Sequence, residues 1–137
     1  MRNLIFACLL LLIATGLGCR KKGGVDPLQV RLAELQGTWT VERVVNDNQN
    51  VTSLYALFSL TIDGDLFQTG SGGNAWPASG SFTINRNDID TIIRNDGVEV
   101  SIEEINANRL QLSFDKPNVS SREQGITGNF IFNLIKS

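Results

Sequence analysis

The chain has 137 residues, a formal net charge of −2 and no histidine. That length makes one domain, and the missing histidine removes His-based triads and Cys/His zinc sites. All 14 Asp and Glu lie from Asp26 onward, whereas Arg2, Arg20, Lys21 and Lys22 precede it; so acidic a body is repelled by phosphate backbones, which argues against nucleic acid as a partner.

Residues 1–18 read as a signal segment. Arg2 supplies a positive start, and Leu4 to Leu17 is a mostly apolar, uncharged run. It is shorter than the roughly 20 residues of a membrane-spanning helix and fits a signal-peptide core. The segment ends Thr15-Gly16-Leu17-Gly18-Cys19, which resembles the lipobox of bacterial lipoproteins. Gly18-Cys19 matches that pattern, while Leu17 sits one place nearer the cysteine than the usual leucine. The resemblance implies cleavage before Cys19, a diacylglycerol on its sulfur and a third acyl chain on the new amino group. Two or three chains hold a protein stably at a membrane. The alternative is an ordinary secretory signal with an incidental cysteine. Cys8 lies inside the signal, so the processed chain has no second cysteine for a disulfide.

Residues 19–26 form a tether containing Arg20-Lys21-Lys22 and Gly23-Gly24. In some bacteria an acidic stretch after the lipidated cysteine directs lipoproteins to the cell surface, and this basic triplet does not resemble it. The reading is an envelope protein on the outer membrane, facing the periplasm. Residues 27–137 form the folded domain. Pro27 to Leu35 is a short helix with Asp26 as N-cap and Pro27 in first position. Leu28, Leu32 and Leu35 share one helical face.

The remainder alternates apolar and polar residues between turn signals. Strands are expected near 37–45, 58–62, 65–69, 80–84, 89–94, 98–104, 109–115 and 128–136. No long helix separates them, so the topology is antiparallel. Eight such strands hide their edges fully in an up-and-down barrel and partly in a β-sandwich, the alternative. Asp63-Gly64 as a two-residue turn pairs Ile62 with Asp65 and Leu60 with Phe67. Asp96-Gly97 pairs Ile93 with Val100 and Arg94 with Glu99, which turns Thr91 and Ile93 inward. A three-residue loop, Asn106-Ala107-Asn108, with Asn108 left-handed, puts Ile102 opposite Leu112 and Val100 opposite Phe114. On the last strand Ile131 and Ile135 face away from Phe130, Phe132 and Leu134, and the leucine stripe of the helix is the candidate to cover them.

Gly37-Thr38-Trp39, at the start of the first strand, resembles the opening Gly-x-Trp of lipocalins. The order of short helix, this motif and strands to the C-terminus is similar to lipocalin-like lipoproteins. The likeness implies a barrel whose tryptophan closes one end, often under an arginine of the last strand; that strand offers Lys136 here. It also implies a small apolar ligand. An eight-stranded barrel is just wide enough to fill with side chains or hold one such molecule. The register points Trp39, Phe58, Phe67, Phe82, Phe114, Phe130 and Phe132 inward, enough ring volume to leave the filled barrel as an equal reading.

The chain carries no signature of catalysis. Gly70-Ser71-Gly72-Gly73 lacks the Lys-Ser/Thr of a P-loop. Asp63 with Asp65 and Asp88 with Asp90 lack the full EF-hand spacing. Asp90-Thr91-Ile92 resembles a bacterial O-glycosylation motif, discounted because Thr91 is expected inside. Trp76, in the loop from Gly70 to Ser79, either stacks on a sugar at the surface or folds inward as a plug, the preferred reading. No metal, cofactor or enzymatic activity is expected. The function expected is a lipid-anchored barrel binding a small apolar or amphipathic ligand among Trp39, Phe58, Phe67, Trp76, Phe82, Phe114 and Phe132; the alternative is an envelope scaffold binding a protein or glycan through its loops over a filled core.

Overall fold

The computed structural model describes residues 24–116 and 127–137; the signal segment and Cys19 lie outside the described residues. Helix α1 spans Pro27–Leu35. The Asp26 side chain accepts a hydrogen bond from the Leu28 N–H at 3.0 Å, and Pro27 occupies the first turn, where its missing N–H costs nothing. The helix ends where Gln36 turns extended and donates its side-chain amide back to Leu32 O at 2.8 Å.

Among the described residues nine strands follow: β1 Gly37–Asn46, β2 Gln49–Asn50, β3 Ser59–Asp63, β4 Leu66–Gly70, β5 Ser79–Asn85, β6 Asp88–Arg94, β7 Glu99–Ile105, β8 Arg109–Lys116 and β9 Gly128–Lys136. β1 pairs with β3, each later strand pairs antiparallel with the next, and β9 returns to β1. The sheet is therefore a closed eight-stranded up-and-down barrel, which excludes the sandwich. β2 is a short addition to β1. It is made by Asp47 and Asn48, with φ of 47° and 66°, the two positive φ values of a type I′ turn. A 3-10 turn, Thr52–Tyr55, then crosses to β3.

Two turns set registers that differ from the expectation, and a third reaches the expected inner pairs by a different local geometry. Asp63 pairs with Leu66, so the two-residue loop is Gly64-Asp65 and Ile62 faces Phe67. Gly64 has φ 61°, which places the glycine at the first central position. The shift is two residues, so Leu60, Ile62 and Phe67 keep their common inner face. At the second turn the slip is one residue, and it matters more. Arg94 N–H donates to Val98 O at 3.0 Å, Gly97 N–H donates to Arg94 O at 2.9 Å, and Ile92 pairs with Val100. The loop is Asn95-Asp96-Gly97, with Gly97 left-handed at φ 88°. A one-residue slip exchanges the faces of a strand. Ile92 and Arg94 are therefore buried, while Ile93 and Thr91 turn toward the outside. At the third turn Val100 faces Phe114 and Ile102 faces Leu112 as expected. The extra residue is absorbed by a bulge between Ile102 and Glu104, and Asn108 has no positive φ. Asn106 Oδ1 instead accepts from the N–H groups of Asn108 and Arg109 at 2.9 and 2.8 Å, an Asx turn.

The barrel has two unlike ends. α1, the turns at 64–65 and 106–108 and the C-terminus lie at one; the 47–58 segment, the 71–78 loop and the 95–98 turn lie at the other. α1 closes its end like a stopper. Leu35 is fully buried, Trp39 Nε1 donates to Leu35 O at 2.9 Å, and Arg31 pairs with Asp90 of β6. The helix does not cover the outer face of β9, where Ile135 stays exposed. Lys136 donates to Gln36 O and holds its ammonium 4.3 Å from the centre of the Trp39 ring, a cation–π contact in the place where the lipocalin resemblance implied an arginine.

Candidate functional site

The interior is built from alternate residues of the strands, and the pleat decides which they are. β3 and β4 send in Leu60, Ile62 and Phe67; β8 and β9 send in Leu112, Phe114, Phe130, Phe132 and Leu134. Trp39, Phe58, Phe67, Trp76, Phe82, Phe114 and Phe132 are all buried. Most of them meet as one aromatic cluster. Phe114 stacks on Phe130 and Phe132, with centroids 5.4 and 5.7 Å apart. Tyr55, at the end of the 3-10 turn, sets its edge against Phe132 at 5.2 Å. Trp39 stands apart from this cluster, at the helix end.

Trp76 reaches the cluster from a loop, not from a strand. Its indole is 6% exposed. It lies edge-on to Phe67 at 5.8 Å and to Phe114 at 5.4 Å, and tilted against Phe58 at 6.1 Å. The loop is pinned at its rim: Thr69 Oγ1 donates to Pro77 O at 2.7 Å, and Trp76 N–H donates to Gly72 O at 3.1 Å. With the indole inside, its face is not offered to a sugar in solvent.

The buried residue that the alternation pattern misplaced is Arg94, 3% exposed. Its guanidinium is held on its own turn by Asp96: Nε donates to Oδ1 at 3.0 Å, and Nη2 donates to Oδ2. Nη1 donates to Ala75 O at 3.0 Å. The cation lies 4.7 Å from the Trp76 ring centre and 5.5 Å from that of Phe114. The Arg94 hydrogen bonds hold the Asp96 carboxyl below its ordinary pKa of 3.8, against the opposing effect of its partial burial. A buried cation survives here because it is paired, bidentate and stacked. The signal in the sequence was Asn95-Asp96-Gly97, which fits a three-residue loop ending in a left-handed glycine as well as it fits Asp-Gly alone.

Three buried polar side-chain atoms have no partner within the described residues: Arg31 Nε at the helix end, and Tyr55 Oη and Trp76 Nε1 in the aromatic cluster. Burial raises the Tyr55 pKa. The space left in the barrel is an apolar void of about 20 Å³ bordered by Leu35, Phe67, Trp76, Phe82 and Arg94, room for about one water-sized sphere. Small-molecule pockets run to about 300–1,000 Å³. In this conformation the barrel is filled. Above Trp76, at the loop end, an open cleft of about 270 Å³ is bordered by Asn74, Pro77, Arg94, Asp96 and Lys116.

The carboxylate pairs are used locally. Asp88 accepts from Asp90 N–H at 3.1 Å and from Thr91 Oγ1 at 2.7 Å, and Asp90 pairs with Arg31. Among the described residues no group of three or more His, Cys, Asp or Glu is placed to hold a metal ion, and no helix is long and apolar enough to cross a membrane. Among the described residues six large apolar side chains are exposed, Val25, Val30, Leu54, Leu57, Leu66 and Ile135; Leu54 at 68% and Leu57 at 81% are three positions apart in sequence. They flank Tyr55 at the loop end. No family model matches the chain, and the comparison with curated proteins finds no match.

Proposed function

We propose that the protein is a lipid-anchored envelope protein, processed at Cys19, whose filled lipocalin-like barrel is a non-enzymatic scaffold that engages a partner protein through its loop end. The observation that carries this reading is Leu54 and Leu57, exposed three positions apart at the loop end of a barrel that, in this conformation, its own side chains fill. Exposed leucines on a solid scaffold gain free energy only by contact with something outside it. A glycan stacked on Trp76 is disfavoured because the indole is buried.

The topology supports the layout. The described chain begins at the helix end, so a lipid on Cys19 sets that end toward the membrane. A fully extended tether 19–26 reaches on the order of 25–30 Å. Leu54 and Leu57 then face away from the bilayer, into the periplasm when the anchor sits in the inner leaflet of an outer membrane.

Metabolic labelling with a fatty-acid analogue tests the anchor: the label should enter the wild type and be lost in Cys19→Ala, and equal labelling of both refutes it. A photo-crosslinking residue at position 57, compared with one at exposed Val30 of α1, tests the surface in the native host. The reading expects a discrete adduct from position 57 alone. Adducts from both positions, or from position 30 alone, contradict it.

A further inference from the structure

We propose that Ala75-Trp76 is a removable occupant of a binding site, and that the vacated site takes a small neutral aromatic molecule carrying a carbonyl acceptor. This goes beyond the scaffold reading and does not depend on it. Three observations carry it.

The first is the position of Trp76. The void of about 20 Å³ inside the barrel and the cleft of about 270 Å³ at its mouth both border on Trp76 and Arg94. The indole and the guanidinium are the partition between them. Withdrawal of the indole joins void and cleft into one pocket walled by Phe58, Phe67, Phe114 and Phe132.

The second is the hydrogen bonding. Trp76 Nε1 makes none, although it is buried, and buried indoles ordinarily find a partner. The indole is held by ring contacts and by the Arg94 cation over its face, both of which another aromatic ring supplies. Tyr55 Oη, also buried without a partner, touches the same cluster through Phe132 and remains as a second donor near the vacated slot.

The third is the fixing of Arg94. Its clamp to Asp96 lies within its own turn, and Asp96 Oδ1 also accepts from Val98 N–H at 3.2 Å. The guanidinium therefore keeps its orientation when the loop leaves. The bond lost is the one from Nη1 to Ala75 O. The emptied site then presents a ring slot and a freed donor spaced as the indole and the preceding carbonyl are spaced. Since Asp96 already neutralises the cation, a neutral carbonyl fits better than a carboxylate. The hinge is at hand: Ser71 and Gly73 hold φ of 53° and 55°, with Gly72 between them.

The probe is N-acetyltryptophanamide, whose acetyl carbonyl and indole reproduce Ala75 O and Trp76. 3-Methylindole, the ring without the carbonyl, is the control. Calorimetric titration of the full-length Trp76→Gly variant should show the amide binding about ten-fold tighter than the control, the value of one hydrogen bond. Equal affinities overturn the carbonyl assignment. In parallel, the wild type labelled with 5-fluorotryptophan is followed by fluorine NMR, which does not require the variant to fold. Added amide should move the Trp76 resonance to a solvent-exposed position and leave that of Trp39 unchanged. A Trp76 resonance unmoved by saturating probe makes the indole a fixed core residue and overturns the proposal, whatever the variant binds.

Discussion

Arg94 and Asp96 show how one ion pair at a barrel mouth answers to its surroundings. The arginine is buried and the aspartate side chain is 39% exposed. Removing the carboxylate leaves an uncompensated cation against two aromatic faces, whereas restoring water to Asp96 costs little. Asp96→Asn should therefore lower stability by roughly 2 kcal/mol, under the 3–5 kcal/mol of a fully buried pair. Acid should act in the same way. Asp96 has a folded pKa below its unfolded value, so its contribution is fully present above the ordinary aspartate range near pH 4 and is lost as pH falls through the lowered folded value. Denaturant melts from pH 5 to pH 2 should show a steeper acid loss in the wild type than in Asp96→Asn. Parallel curves would mean that the pair contributes nothing to stability.

At the scale of elements, turns and bulges decide which side chains enter the barrel. Strand positions were legible because apolar alternation is repeated in every strand, and β9 begins and ends at the expected residues. Helix α1 was legible from Asp26, Pro27 and the leucine spacing. Register was legible where the turn length was read correctly or the error was two residues. At β6 the Asp96-Gly97 signal misled: it set Arg94 opposite Glu99, whereas the loop has three residues and Arg94 finds its partner, Asp96, two residues ahead in its own turn. At β7 the inward pairs were right although the extra residue sits in a bulge near Glu103 and not in a left-handed Asn108. The bulge is marked by Glu103-Glu104, which set Ile105 three residues after Ile102 in place of two, but the expected strand stopped at Glu104. The short β2 hairpin was missed because Asp47-Asn48 reaches positive φ without a glycine. The register of β6 rests on Gly97, so Gly97→Ala should cost about 1 kcal/mol by forcing a side chain into the left-handed region. Chemical denaturation with an unchanged m-value would report it, and an effect below about 0.3 kcal/mol would contradict the turn assignment.

For the whole molecule the consequence is a barrel that is closed, stoppered by α1 and packed with its own rings. Eight strands and their inward aromatics could be read from the sequence, but whether the interior was hollow could not. Alternation counts the side chains facing inward, and the loop suggested Trp76 as a plug, but neither measures the space that remains. Core and surface should respond very differently to substitution. Phe132, fully buried among five other rings, should cost about 3–5 kcal/mol as Phe132→Ala. Leu57→Ser at the exposed loop end should stay within about 0.5 kcal/mol. Thermal melts of the two variants distinguish this from a soft core, which would tolerate both. The filled interior is tested most directly by acrylamide quenching of the Trp39→Phe chain, in which Trp76 is the one remaining indole. The account predicts emission that acrylamide barely quenches until the protein unfolds; quenching of the native protein close to that of free tryptophan would place Trp76 outside and leave the barrel hollow.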